Sequence, residues 1–138
     1  QDESLRLQRL LRKTIIFITH DFDEAVRLGD RIGIMKDGKL IQLAPPEAMV
    51  AAPADHYVRE FTKHAPRDRI ISVGAIASST MNGRNTGAAV PATAKIGDVA
   101  AQVLASDAPV PVRDESGQYV GTITRAAIIA ALYPDQSL

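Results

Sequence analysis

Thr14-Ile15-Ile16-Phe17-Ile18-Thr19-His20-Asp21-Phe22-Asp23-Glu24-Ala25-Val26-Arg27-Leu28 is the stretch on which the reading of this 138-residue chain turns. Six β-branched or aromatic residues, Thr14 to Thr19, run without a break and stop at His20-Asp21. An uninterrupted apolar run closed by polar residues predicts a strand buried on both faces of a parallel sheet, and so an α/β class for this part of the chain. Ligands of open α/β sheets gather beyond the carboxyl ends of such strands, and His20 stands at that end. Asp21 or Asp23 can cap the helix that follows, and Gly29 is placed to end it in a left-handed conformation.

Outward from this stretch the signals are local and legible. Before it, residues 2–12 place acidic groups first and basic groups last, with Leu7, Leu10 and Leu11 on one face, which predicts an amphipathic helix. After it, two apolar runs flank Asp37-Gly38, a dipeptide suited to the positive φ angles of a two-residue hairpin. Pro45-Pro46 stops the second strand, and Glu47 falls in the first turn of a short helix that Pro53 interrupts. A further helix starts near Ala54 with Asp55 as its cap, and its Tyr57, Val58 and Phe61 read as core packing. His56 and His64 lack partners at metal-ligand spacing, so no metal site is expected.

Composition bounds the function. The chain is 46% hydrophobic, carries 16 basic and 16 acidic residues, and contains no cysteine. Balanced charge argues against nucleic acid or an anionic surface as partner. Disulfides and thiolate metal sites are excluded. No apolar run approaches the roughly 20 residues that span a bilayer, and no signal peptide is recognised. The expectation is a soluble intracellular protein. Because the sequence opens at Gln1 in what reads as mid-helix, it is also expected to be a piece of something longer.

The strings Ile18-Thr19-His20-Asp21, Asp23-Glu24-Ala25, Asp30-Arg31-Ile32 and Met35-Lys36-Asp37-Gly38 together resemble the end of an ABC transporter ATP-binding subunit. The resemblance implies that residues 1–65 are the C-terminal segment of an incomplete ATP-binding domain. It also implies that His20 is the switch histidine that contacts the γ-phosphate of ATP. The chemistry of hydrolysis further needs a glycine-rich phosphate loop with lysine, an acidic pair for Mg²⁺ and a transition-state clamp. No Gly-x-x-x-x-Gly-Lys-Ser/Thr, no apolar strand ending Asp-Glu and no Leu-Ser-Gly-Gly-Gln occurs in this sequence. ATP and Mg²⁺ are therefore expected in an intact parent, and this chain alone is expected to hydrolyse nothing.

Beyond Ala65-Pro66 the character changes. Residues 66–89 read as linker and loop, with Ser78–Ala89 rich in Ser, Asn, Gly and Thr. Order returns over 90–138. Thr93 is a candidate N-cap for a helix carrying Ile96, Val99, Ala100, Val103 and Leu104 on one face. Pro109–Val112 and Tyr119–Ile123 form a strand pair around Asp114–Gly117, and Thr124 caps a last helix with Ile128, Ile129 and Leu132.

This α+β order, centred on VPVRDESGQYVGTITRAAIIAAL, resembles a CBS domain of β-α-β-β-α type, with Ile70–Ala77 as its leading segment. The family's nucleotide pattern, Gly-apolar-apolar-Thr/Ser-x-x-Asp, is matched at Gly121 and Thr124, but Ala127 stands where the carboxylate belongs. Thr124 is thus a cofactor-binding candidate for adenine nucleotide and, more simply, a helix cap. CBS repeats occur in pairs, which implies a homodimer through Val90–Leu132.

An ATP-binding end joined to CBS sequence is the arrangement of glycine betaine/proline importers. That implies permease subunits and a substrate-binding protein as partners, and a place on the cytoplasmic face of the membrane. Two rivals stand beside this reading. One is a stand-alone CBS-containing module that senses a nucleotide or ionic strength. The other is a small α/β enzyme built on His20, Asp21 and Asp23, for which no nucleophile or oxyanion site is found.

Overall fold

The computed structural model describes residues 14–79 and 88–134. The helix expected over residues 2–12, and residues 80–87 of the Ser78–Ala89 loop, lie outside the described residues. The chain divides into two compact units, Gln1–Ala65 and Pro66–Leu138.

The first unit is built on a hairpin. Strands β1 (Ile32–Lys36) and β2 (Lys39–Ala44) pair antiparallel around Asp37-Gly38, as the dipeptide predicted. Asp37 has φ 50° and Gly38 φ 74°, so both turn residues take the left-handed conformation of a type I′ connection. One face carries Ile32, Ile34 and Ala44 into a core with Met49 and Val58.

Three helices cover that face. Helix α1 (Phe22–Leu28) contributes Phe22, Ala25 and Val26, and α2 (Pro46–Ala51) contributes Met49 and Val50. Helix α3 (His56–Thr62) is capped by Asp55, whose carboxylate accepts from the Val58 N–H at 2.8 Å. Between α2 and α3 the Gln42 amide donates to the Ala52 carbonyl at 3.0 Å and accepts from the Ala54 N–H at 2.7 Å. One side chain thus satisfies the backbone that Pro53 leaves without a helical partner.

Two expectations for this unit are corrected. Thr14–Thr19 forms no strand among the described residues, and Ile16 and Ile18 are 87% and 91% exposed. A strand of this composition is stable only where neighbouring strands take up its N–H and C=O groups, and among the described residues none does. Gly29 ends α1 with φ −100° and ψ 132°, not in the left-handed region, and its N–H donates to the Ala25 carbonyl from that conformation.

The second unit has the β-α-β-β-α order expected of it, and the whole chain mixes helix and sheet as its class predicted. Strand β3 (Val90–Pro91) pairs parallel with β4 (Val110–Arg113), which pairs antiparallel with β5 (Tyr119–Ile123). Helix α6 (Ile96–Leu104) buries Ile96, Val99 and Val103, the face its periodicity marked. Its first residue follows Lys95, not Thr93, because Lys95 is held extended by its bridge to Ser72.

Pro66–Ser79 is more than linker. It forms α4 (Arg67–Ile70) and α5 (Val73–Ile76), and Ile70, Ile71 and Val73 are buried. Two cations of this unit close helix ends: Arg67 Nε donates to the Ala131 carbonyl near the end of α7 (Arg125–Leu132) at 2.6 Å, and Lys95 Nζ to the Ile70 carbonyl at 2.7 Å. Placing positive groups on terminal carbonyls satisfies both the unpaired acceptors and the helix dipole. Among the described residues no helix is long and apolar enough to cross a membrane.

Candidate functional site

His20 lies at a bend between the Thr14–Thr19 segment and α1, and it is exposed. Asp21 is the N-cap, as expected, accepting from the Glu24 N–H at 3.1 Å. Two further contacts frame the histidine. The Asp21 N–H donates to the Thr19 hydroxyl at 3.0 Å, and that hydroxyl donates to Glu24 Oε2 at 2.7 Å.

In the usual capping box the third helical residue, a Glu, reaches back to the N-cap N–H directly. Here the Thr19 hydroxyl is interposed, so the residues on either side of His20 are tied by one oxygen. Thr19 and Glu24 were not singled out from the sequence. Their signal was present in the Asp-x-x-Glu spacing of Asp21 and Glu24.

Phe22, the first residue of α1, anchors the turn from below. Its ring meets that of Phe61 edge-on at 6.0 Å, and Phe61 meets Tyr57 at 6.3 Å. Lys36 Nζ sits 4.7 Å from the Tyr57 ring centre. Val58 and Tyr57 pack in or against the core as expected, whereas Phe61, expected there too, is 41% exposed, its ring beside those of Phe22 and Tyr57. His56 and His64 are exposed, and among the described residues no group of three or more His, Cys, Asp or Glu is placed to hold a metal ion.

Thr124 belongs to the second unit. It caps α7, accepting from the Ala127 N–H at 3.1 Å. Three residues earlier, Gly121 has φ 155°, and a Cβ there would run into the Ser78 carbonyl. The cause is an added bridge: Ser78 N–H donates to the Thr122 carbonyl at 2.8 Å and Thr122 N–H to the Ser78 carbonyl at 2.9 Å. The glycine of the Gly-Thr-Ile-Thr string thus makes room for backbone. At this half of a nucleotide site the Thr124 hydroxyl is engaged by its own helix, and Ala127 offers no carboxylate.

No family model matches the chain. It is 42% identical over 133 residues to the trimethylamine N-oxide transport system ATP-binding protein TmoW of Pelagibacter ubique, covering 96% of this chain and 39% of that protein. The TmoW protein of Ruegeria pomeroyi is matched at 42% over 134 residues, 96% of this chain and 38% of the relative. Its homologues are ATP-binding subunits of ABC transporters. The glycine betaine/proline betaine transport system ATP-binding protein ProV of Escherichia coli is 43% identical over 83 residues, 60% of this chain and 21% of the relative. The chain thus spans about two fifths of the length of the first two relatives, and matches their C-terminal part.

A solved cystathionine beta-synthase pair domain from Shewanella oneidensis aligns with 96% of this chain and 60% of its own, at 17% identity and a TM-score of 0.32. That degree of likeness carries no structural correspondence, and the β-α-β-β-α order stands on the strand pairings given above.

Proposed function

We propose that this chain is the C-terminal, regulatory part of the ATP-binding subunit of an ABC importer for a small methylated-amine solute. The observation that carries the proposal is the 42% identity that runs through both units, over 96% of the chain, to a transport ATP-binding protein. Glycine betaine or proline was the solute class implied by the sequence. The relatives named for trimethylamine N-oxide, which match both units, widen it to compatible solutes with a methylated nitrogen.

In this reading residues 1–65 end the ATP-binding domain, and the CBS domain of residues 90–138, with Pro66–Ser79 packed in the same unit, regulates transport. His20 is exposed at the start of α1 and fits a single hydrogen bond to a phosphate oxygen. The phosphate loop, the acidic pair and the signature glycines would come from the part of the subunit that this sequence does not contain. Bound ATP with Mg²⁺ supplies the phosphoryl bond whose cleavage drives transport. His20 orients the terminal phosphate, and an exposed imidazole can do so without displacing packed side chains.

Thr124 does not fit a ribose site on its own, so adenine nucleotide at the CBS unit requires groups from a second copy. A homodimer through Val90–Leu132 would bring them. This subunit sits at the cytoplasmic face of the membrane, with permease subunits and a solute-binding protein as its partners.

The first test is the mass of the native protein in its source cell, read with an antibody raised against this chain. A band far above 14.8 kDa is expected. In that protein His20→Ala should lower ATP turnover by about a hundredfold or more, the scale of losing one transition-state contact. A band at the mass of this chain, or full turnover in His20→Ala, favours the stand-alone regulatory module instead.

A further inference from the structure

We infer that Thr19 and Glu24 are positioning residues for His20, acting through a hydrogen-bonded ring closed around it. The inference rests on the reading of His20 as a phosphate contact. The ring runs from the Asp21 N–H to the Thr19 hydroxyl (3.0 Å), from that hydroxyl to Glu24 Oε2 (2.7 Å), and from the Glu24 N–H back to Asp21 Oδ1 (3.1 Å). His20 is the one residue enclosed between its two chain-adjacent members.

The geometry has a functional logic. The Thr19 hydroxyl, on one side of His20, accepts a hydrogen bond from the Asp21 N–H on the other and donates one to the Glu24 carboxylate. Both neighbours of the histidine are thereby tied to helix α1.

A hydroxyl that accepts and donates at once is polarised by both bonds, and each strengthens the other. The Thr19–Glu24 contact, between two half-buried residues, is also the short, charge-assisted one. An ordinary cap needs only Asp21 and a backbone N–H, as Asp55 and Val58 demonstrate in α3. The extra pair is therefore unnecessary for starting a helix, and its effect falls on the residue it encloses.

The test uses the longer ATP-binding protein that carries this chain, assembled with its permease, with turnover followed across ATP concentration. Thr19→Val keeps the side-chain shape and removes the hydroxyl. It is expected to lower kcat about tenfold while KM for ATP stays within about twofold, because a displaced histidine weakens the transition state more than substrate binding. Thr19→Ser keeps the hydroxyl and should retain about half of the wild-type kcat or more. Glu24→Ala should match Thr19→Val, and Glu24→Gln, whose amide oxygen still accepts a hydrogen bond, should fall between. In a His20→Ala background, Thr19→Val should add no further loss, since both act on one contact.

A large His20→Ala defect beside unchanged kcat in Thr19→Val and Glu24→Ala overturns the inference and leaves the reading of His20 standing. Equal loss in Thr19→Val and Thr19→Ser, or a lowered kcat that tracks a lowered melting temperature, also overturns it by reducing the pair to a structural role. Wild-type turnover in His20→Ala removes the reading itself.

Discussion

Thr14–Thr19 and the β4–β5 pair carry the same kind of side chain and meet opposite fates. The first is six consecutive β-branched or aromatic residues, the strongest strand string in the chain, and it lies exposed and unpaired among the described residues. The second is interrupted by Pro111 and Gly121, yet Val110, Val112 and Ile123 are buried and register-matched across the sheet. Composition gives a segment the capacity to be a strand. Partners on either side decide whether it becomes one, because each unpaired N–H or C=O taken from water costs about as much as a hydrogen bond lost.

The sharpest way to break this comparison is to truncate one isoleucine from each segment. Ile123 is fully buried, so Ile123→Ala should destabilise the chain by about 3 kcal/mol, from lost transfer energy and the cavity left behind. Ile16 is 87% exposed, and Ile16→Ala should change stability by less than about 0.5 kcal/mol. Chemical denaturation of both variants decides it. Equal losses would mean that Thr14–Thr19 packs against something after all. In the longer subunit proposed above, the Ile16 substitution should become costly, and the contrast should narrow.

What the sequence revealed, and what it hid, follows the same division. The Asp37-Gly38 turn, the caps at Asp21, Asp55 and Thr124, and the buried face of α6 were all legible, since each depends on residues within a few positions of one another. The unpaired state of Thr14–Thr19 was not, because it depends on strands the local pattern cannot supply.

The same holds for Ser78. Its bridge to Thr122 joins residues far apart in sequence, and the Gly-Thr-Ile-Thr string reads as a nucleotide pattern until the bridge explains its glycine. At the candidate site the Asp21 cap was legible, whereas the Thr19–Glu24 contact hid behind that simpler assignment.

Gly121 gives the next largest effect, and it asks whether the second unit's sheet depends on its added edge. A methyl group at this position meets backbone, which cannot swing aside like a side chain. Gly121→Ala should therefore cost about 2 kcal/mol, from strain at φ 155° and loss of the two Ser78–Thr122 hydrogen bonds. Amide hydrogen exchange should report it directly: the Ser78 and Thr122 amides lose protection while Val112, deeper in the sheet, keeps its own. Retained protection at Ser78 would mean that the edge tolerates a side chain and that the glycine is there for another reason.

The smallest effect lies in the turn that lets β4 and β5 meet, and pH is the way to see it. Asp114 Oδ1 accepts from the Ser116 hydroxyl at 2.6 Å and from the Ser116 and Gln118 N–H groups at 2.9 Å each. The Ser116 hydroxyl foremost, then the Gln118 N–H, holds this carboxyl below the usual carboxylate range. A carboxylate whose folded pKa is depressed stabilises the fold above its unfolded pKa, about 3.9, and that contribution is lost as pH falls through the lower folded value.

Asp114→Asn leaves a neutral acceptor with weaker bonds and nothing to titrate. The gap in melting temperature between wild type and Asp114→Asn should accordingly be widest near about pH 6, close below about pH 4, and stay small throughout because the group is exposed. A gap that is constant with pH would show that the turn owes its geometry to Gly117 and the strand register, with the carboxylate as a passenger.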